Sequence, residues 1–174
     1  MENQTHAPAT AEEQDFVITR VFDAPREQVF KAWTQEDSLK QWYGPKGYTL
    51  GISEFNLQPG GALHYSIQMG SGPKMWGKFV YREINSPEQL VYVNSFADED
   101  GNITRAPFSA TWPLEMLNFL TLTEQDGQTT LTLRGRPLNA TQEERQTYAQ
   151  GHTSMHQAFS GTMDQLAAYL AKVN

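Results

Sequence analysis

The chain has 174 residues, a net charge of −7, 39% hydrophobic and 19% charged side chains, and no cysteine. That length suits one domain with a sizeable core, and the acidic excess argues against nucleic acid and anionic membrane surfaces, which call for a basic face. Without cysteine there is no disulfide and no thiol nucleophile; no run nears the ~20 apolar residues of a membrane span, no basic-then-apolar leader is visible, and a cytoplasmic location is the expectation.

Residues 1–13 are polar and aperiodic and read as a flexible tail, ahead of a single domain over 14–174. Phe16 to Phe22 is β-branched and aromatic, a first strand expected at or near a sheet edge and paired antiparallel with a later strand. Asp23-Ala24-Pro25 ends it and opens a helix whose apolar face is Val29, Phe30 and Trp33. Thr34 is expected to cap a second short helix, which reaches Trp42-Tyr43 and is stopped by Gly44-Pro45.

From Tyr48 to Pro137 the apolar period is two, with turn residues at short intervals. Strands are expected over 48–57, 63–69, 75–84, 90–96, 116–124 and 129–136, with an Asp126-Gly127 hairpin joining the last two. Residues 103–115, interrupted by Pro107 and Pro113, are irregular, with room for an edge strand. In the second of these strands His64 alternates with Leu63 and Tyr65, so it is expected to face away from them, toward solvent.

The last thirty-odd residues read as one long amphipathic helix. Thr141-Gln142-Glu143-Glu144 is a capping box. At ~100° per residue, Tyr148, His152, Met155, Phe159, Met163, Leu166 and Leu170 fall on one stripe. Gly151 interrupts it, at ~1 kcal/mol relative to alanine. Three reasons for that glycine stay open: a close backbone approach, a bend, or side-chain volume kept free. Strand, two short helices, further strands and a long helix together make an α+β helix-grip arrangement, a curved antiparallel sheet wrapped around the C-terminal helix. A straight helix on a curved sheet leaves space, and that space is where ligands bind.

Thr19-Arg20-Val21-Phe22-Asp23-Ala24-Pro25, Ala32-Trp33-Thr34, Trp42-Tyr43-Gly44-Pro45, Pro59-Gly60-Gly61, Phe96-Ala97-Asp98-Glu99-Asp100-Gly101-Asn102 and Leu166-Ala167-Ala168-Tyr169-Leu170 occur in this order. Their combination resembles the AHSA1-like group (activator of Hsp90 ATPase homologue) of the START/Bet v 1-like superfamily, over residues 15–172. The resemblance implies the helix-grip fold and a cavity, in a family whose members are functionally uneven. Two places depart from its pattern: Asn56-Leu57-Gln58 stands where relatives often carry Asp-x-Arg, and His152 where they often carry tryptophan. Both lie where a cavity is lined or gated, so no relative's ligand is carried over.

The chemistry of the residues points first to binding. Tyrosine and tryptophan are plentiful and combine large apolar area with one polar handle. The candidate ligand-binding set is Tyr65, Trp76, Tyr148, Gly151, His152, Met155 and Phe159, around a small hydrophobic or aromatic molecule. An enzyme of cyclase or hydrolase type, with His152, Tyr148 or a cavity tyrosine as acid/base, is the first alternative. A chaperone-related interaction module, suggested by the resemblance alone, is the second. No nucleophile elbow is present, and the acidic pairs, Glu143-Glu144 among them, read as solvated surface. His152 and His156 have i, i+4 spacing but lack a third ligand, so no metal and no cofactor are expected. A homodimer stays open.

Overall fold

The computed structural model describes residues 15–173. The tail expected over residues 1–13 lies outside them. In β1 (Phe16–Phe22), Phe16, Ile18 and Phe22 are buried while Val17, Thr19 and Val21 are exposed, the alternation of a strand with one covered face. Pro25, extended at φ −67° and ψ 151°, precedes α1 (Arg26–Thr34), and α2 (Glu36–Trp42) comes next. Thr34 does not cap α2. Its hydroxyl donates back to the carbonyl of Phe30 at 2.8 Å, closing α1, and Gln35 takes the cap position without a side-chain bond.

The strands are β2 (Tyr48–Phe55), β3 (Ala62–Met69), β4 (Lys74–Asn85), β5 (Gln89–Ala97), β6 (Ile103–Thr104), β7 (Met116–Gln125) and β8 (Gln128–Pro137). They form one antiparallel sheet in the order β1-β8-β7-β5-β4-β3-β2, with the two-residue β6 on the end of β5. β1 is an edge strand paired to β8, Phe16 opposite Gly135, as its sequence leads one to expect. The β7–β8 turn has both φ angles positive, 53° at Asp126 and 79° at Gly127, the geometry of a tight hairpin. Register shifts at Ile52/Glu54 and Tyr81/Glu83 mark bulges, which bend the sheet and increase its twist.

The expected single C-terminal helix is two: α3 (Gln142–Gln150) and α4 (His152–Val173). They meet at Gly151 (φ −84°, ψ −3°), whose N–H is shared between the carbonyls of Thr147 and Tyr148. The inner face of the sheet and the helices enclose the core. Leu120, Leu131, Leu133, Met163 and Leu166 are almost completely buried there. Trp33 and Trp42 meet edge-on at 4.9 Å, and the Trp42 indole donates to the carbonyl of Ala32. On the edge strand, Arg20 reaches Asp164 of α4 at 2.6 Å.

The outer face holds a second, smaller packed spot. His64 does turn away from Leu63 and Tyr65, but not to solvent: it is 5% exposed. The Trp76 ring stacks on it at 4.9 Å, and Nε2 donates to the carbonyl of Asp98 at 2.9 Å. The 98–102 loop covers this face because Asp98 accepts from the amides of Asp100 and Asn102, and Lys78 donates to the carbonyl of Gly101. The bonds accepted by its carboxylate also hold the Asp98 carboxyl below its usual range, the Asn102 amide contributing most.

Candidate functional site

The irregular segment after β6 is fastened to α3. Thr141 and Glu144 complete the capping box, each side chain accepting from the other's amide. Arg105 donates to Glu144 and to the carbonyl of Trp112, and the Thr111 and Thr147 hydroxyls meet at 2.8 Å. Glu144 is thus not solvated surface but 8% exposed. The Thr141 amide first, then Arg105, lower its carboxyl's pKa.

Fastened in this way, the segment brings up an aromatic wall. Phe96 meets Phe108 at 5.6 Å, Phe108 meets Trp112 at 5.5 Å, and Trp112 meets Tyr148 at 5.4 Å. Gly151 has its reason here. A Cβ on it would stand 2.9 and 3.2 Å from atoms of the Trp112 ring, so the helix breaks where that ring lies against it.

Between this wall, the sheet and the first turns of α4 lies a cleft of about 560 Å³. Met116 and Asn118 of β7 and Asn94 and Phe96 of β5 form its floor; Tyr148, Gly151, Met155, Ala158 and Phe159 line the helix side; Ser109, Thr147, Gln150 and Ser154 add polar edges. No Asp, Glu, Lys, Arg or His is among its described lining residues. Within the floor, Asn118 Nδ2 donates to Asn94 Oδ1 at 3.1 Å and to the carbonyl of Met116 at 3.3 Å. Tyr148 is 2% exposed, and burial above all, then the charge of Asp15, raises its phenol's pKa.

Of the residues proposed from sequence, Tyr148, Gly151, Met155 and Phe159 line this cleft. Tyr65 and Trp76 border a much smaller crevice, about 60 Å³, that shares Asn94 and Phe96 with it. Tyr65 packs its ring on Tyr43 and Phe79, whereas Trp76, paired with Ser66 in register, presents its ring to His64 on the outer face. His152 is not part of the cleft lining. Its ring lies 5.6 Å from Phe16 and 5.2 Å from Tyr148, and burial lowers its pKa. His156 also meets Phe16, at 6.3 Å, so the two histidines share an aromatic neighbour. No group of three or more His, Asp or Glu that could hold a metal occurs among the described residues.

The sequence reading missed Asn94, Phe96, Phe108, Trp112, Met116 and Asn118 as wall residues. The segment between Pro107 and Pro113 has no period to read, although Phe108 and Trp112 are large apolar side chains in an otherwise polar irregular stretch.

A family model described as activator of Hsp90 ATPase homolog 1-like protein matches residues 23–171. The solution NMR structure of a protein from Arthrobacter aurescens is similar with a TM-score of 0.76 and 22% identity, covering 98% of this chain and 93% of that one. A crystal structure from Rhodobacter sphaeroides gives 0.74 and 21%, covering 97% and 98%. The crystal structure of the AHSA1 protein from Silicibacter pomeroyi gives 0.70 and 18%, covering 92% and 99%. At these identities the likeness is one of fold. No curated protein matches the chain.

Proposed function

This chain belongs to the activator of Hsp90 ATPase homolog 1-like family, and on that premise we propose that its cleft binds a small, uncharged apolar or aromatic molecule. One observation carries the reading. Met155 and Phe159 continue the apolar stripe that buries Leu166 and Leu170, yet they are only partly buried, across about 560 Å³ of space from Phe96 and Met116. Leaving such side chains short of full burial forgoes part of the ~25 cal/mol gained per Å² of apolar area removed from water, and an apolar ligand completes that burial. The described lining residues carry no charge and offer no counter-charge to an ion.

The cyclase- or hydrolase-like alternative would use the same space. Its acid/base would have to come from Tyr148, the one phenol among the described lining residues, and burial raises that group's pKa, further from the neutral pH at which it would exchange a proton. No observation favours turnover over binding. Titration with the neutral, environment-sensitive dye Nile red tests the proposal. Saturable 1:1 binding, weakened at least tenfold by Met155→Trp in a protein that still unfolds cooperatively, is the expected result. Non-saturating fluorescence, indifferent to Met155→Trp, would remove the cleft as the site.

A further inference from the structure

The polar atoms on the cleft floor are arranged more narrowly than apolar binding needs. The carbonyl oxygen of Met116 can only accept, so the Asn118 atom facing it at 3.3 Å is the amide nitrogen. The same nitrogen donates to Asn94 Oδ1, so Asn118 commits its nitrogen twice. Its oxygen is what remains. That oxygen and the Tyr148 hydroxyl are brought to one spot by a missing side chain: a Cβ on Gly135 would stand 2.7 Å from Asn118 Oδ1 and 2.8 Å from Tyr148 Oη. Among the described residues both hydrogen bonds of the Asn118 side chain are made by its nitrogen. Neither Asn118 Oδ1 nor Tyr148 Oη is among the sealed-off polar atoms left without a partner, so both oxygens are reached from the cleft although their residues are 8% and 2% exposed. Both residues line the cleft.

An acceptor that cannot donate thus sits beside a phenol that burial keeps protonated and able to donate. We propose that these two oxygens form an anchor for a hydroxyl group, so that the ligand class is a neutral ring-bearing alcohol or phenol. This deepens the cleft-binding reading and rests on it. A hydroxyl donates to Asn118 Oδ1 and accepts from Tyr148 Oη at once. An ether or ketone accepts only and leaves the amide oxygen without a donor. A carboxylate does the same and also enters a lining without cationic side chains, at the desolvation cost of an unpaired ion. A site built to hydrogen-bond a hydroxyl discriminates strongly against the analogue lacking it, because its own polar atoms are then left unpaired.

Pyrene, 1-hydroxypyrene and pyrene-1-carboxylate, titrated calorimetrically at pH 7 into the full chain, test this. The expected order is hydroxypyrene above pyrene by about tenfold, the effect of one or two net hydrogen bonds, with the carboxylate weakest. The hydroxypyrene-to-pyrene ratio should fall toward one in Tyr148→Phe. It should fall likewise in Gly135→Ala, whose methyl displaces both oxygens from outside the cleft lining. Equal binding of hydroxypyrene and pyrene by the native chain, or a ratio that survives both substitutions, overturns the anchor while leaving the apolar cleft intact. Failure of all three compounds to bind overturns the cleft reading, and the anchor with it.

Discussion

The two halves of α4 carry the same apolar stripe and meet different fates. From Thr162 onward the stripe is core: Met163 and Leu166 are 0% and Leu170 3% exposed. Over residues 152–161 no residue is buried, although Met155 and Phe159 are as apolar as Met163 and Leu166. The difference lies in what stands opposite. The C-terminal half rests on α1 and α2, with Tyr169 donating to Ser38 and Gln165 donating to the carbonyl of Gly44. The N-terminal half sets His152 and Phe159 against Phe16 of β1 and faces β5 and β7 across the cleft, held off from them by the aromatic wall that includes Trp112. Hydrophobic periodicity tells which side of a helix turns inward. It does not tell whether a partner surface fills the space there.

Truncation should separate the halves most sharply. Leu166→Ala removes a fully buried side chain and is expected to cost about 2–5 kcal/mol in urea unfolding. Met155→Ala removes a partly buried one at the cleft edge and should cost well under half of that, while weakening Nile red binding severalfold. Equal costs at both positions would mean that the two halves are one core.

Gly151→Leu is the next largest effect and sharpens the comparison at its boundary. The new side chain must push the Trp112 ring aside, since even a Cβ stands 2.9 Å from it. Displacing that ring should shift tryptophan emission and abolish Nile red binding. It should cost less than Leu166→Ala, because replacing glycine at this αR position removes backbone freedom from the unfolded chain, worth up to about 1 kcal/mol. A protein that unfolds instead would make Gly151 a packing contact and nothing more.

Arg105→Ala should act more weakly. Arg105 is half-exposed, so its pair with Glu144 is worth about 1 kcal/mol or less in stability. The same side chain also holds the Trp112 carbonyl, so its loss should speed amide exchange through residues 105–115 and leave residues 162–170 unchanged. Exchange that rises equally in both places would show that the wall is not an independent unit.

Much of this arrangement was legible in the chain, for physical reasons. β-Branched and aromatic composition placed β1, the alternation of Leu63, Tyr65 and Ile67 with His64, Ser66 and Gln68 placed β3, and Thr141 to Glu144 announced its own capping box. What was not legible depends on contacts distant in sequence. Nothing local to His64 says that Trp76 and the 98–102 loop will cover it, and nothing local to Gly151 says that Trp112 will arrive there. The same holds for the floor: Asn94 and Asn118 look like ordinary polar strand positions until β5 pairs with β7 and sets them on a diagonal within hydrogen-bond reach. His152 sits on the apolar stripe as expected, but one turn before Met155 the stripe faces Phe16 of β1, not the cleft.

That histidine gives the smallest effect and a test of where the cleft ends. Burial lowers its pKa below 6.5, and the charge of Asp15 opposes this only in part. Asp15 is itself held by Arg134 at 3.4 Å and Arg136 at 3.0 Å, while His156 and Tyr148 share the ring's surroundings. A histidine depressed in the folded state is neutral in both states above pH 6.5, so it leaves stability unchanged there. As pH falls below 6.5 the unfolded chain takes up the proton first, and stability declines until the folded-state value is passed. Melting temperature should therefore drop between pH 7 and 5. His152→Gln should flatten that part of the profile. Nile red affinity should follow the same pH range without a step, because His152 faces β1 and not the cleft. A binding step near pH 6 that His152→Gln removes would place the histidine in the site and move the boundary between the two halves one turn toward α3.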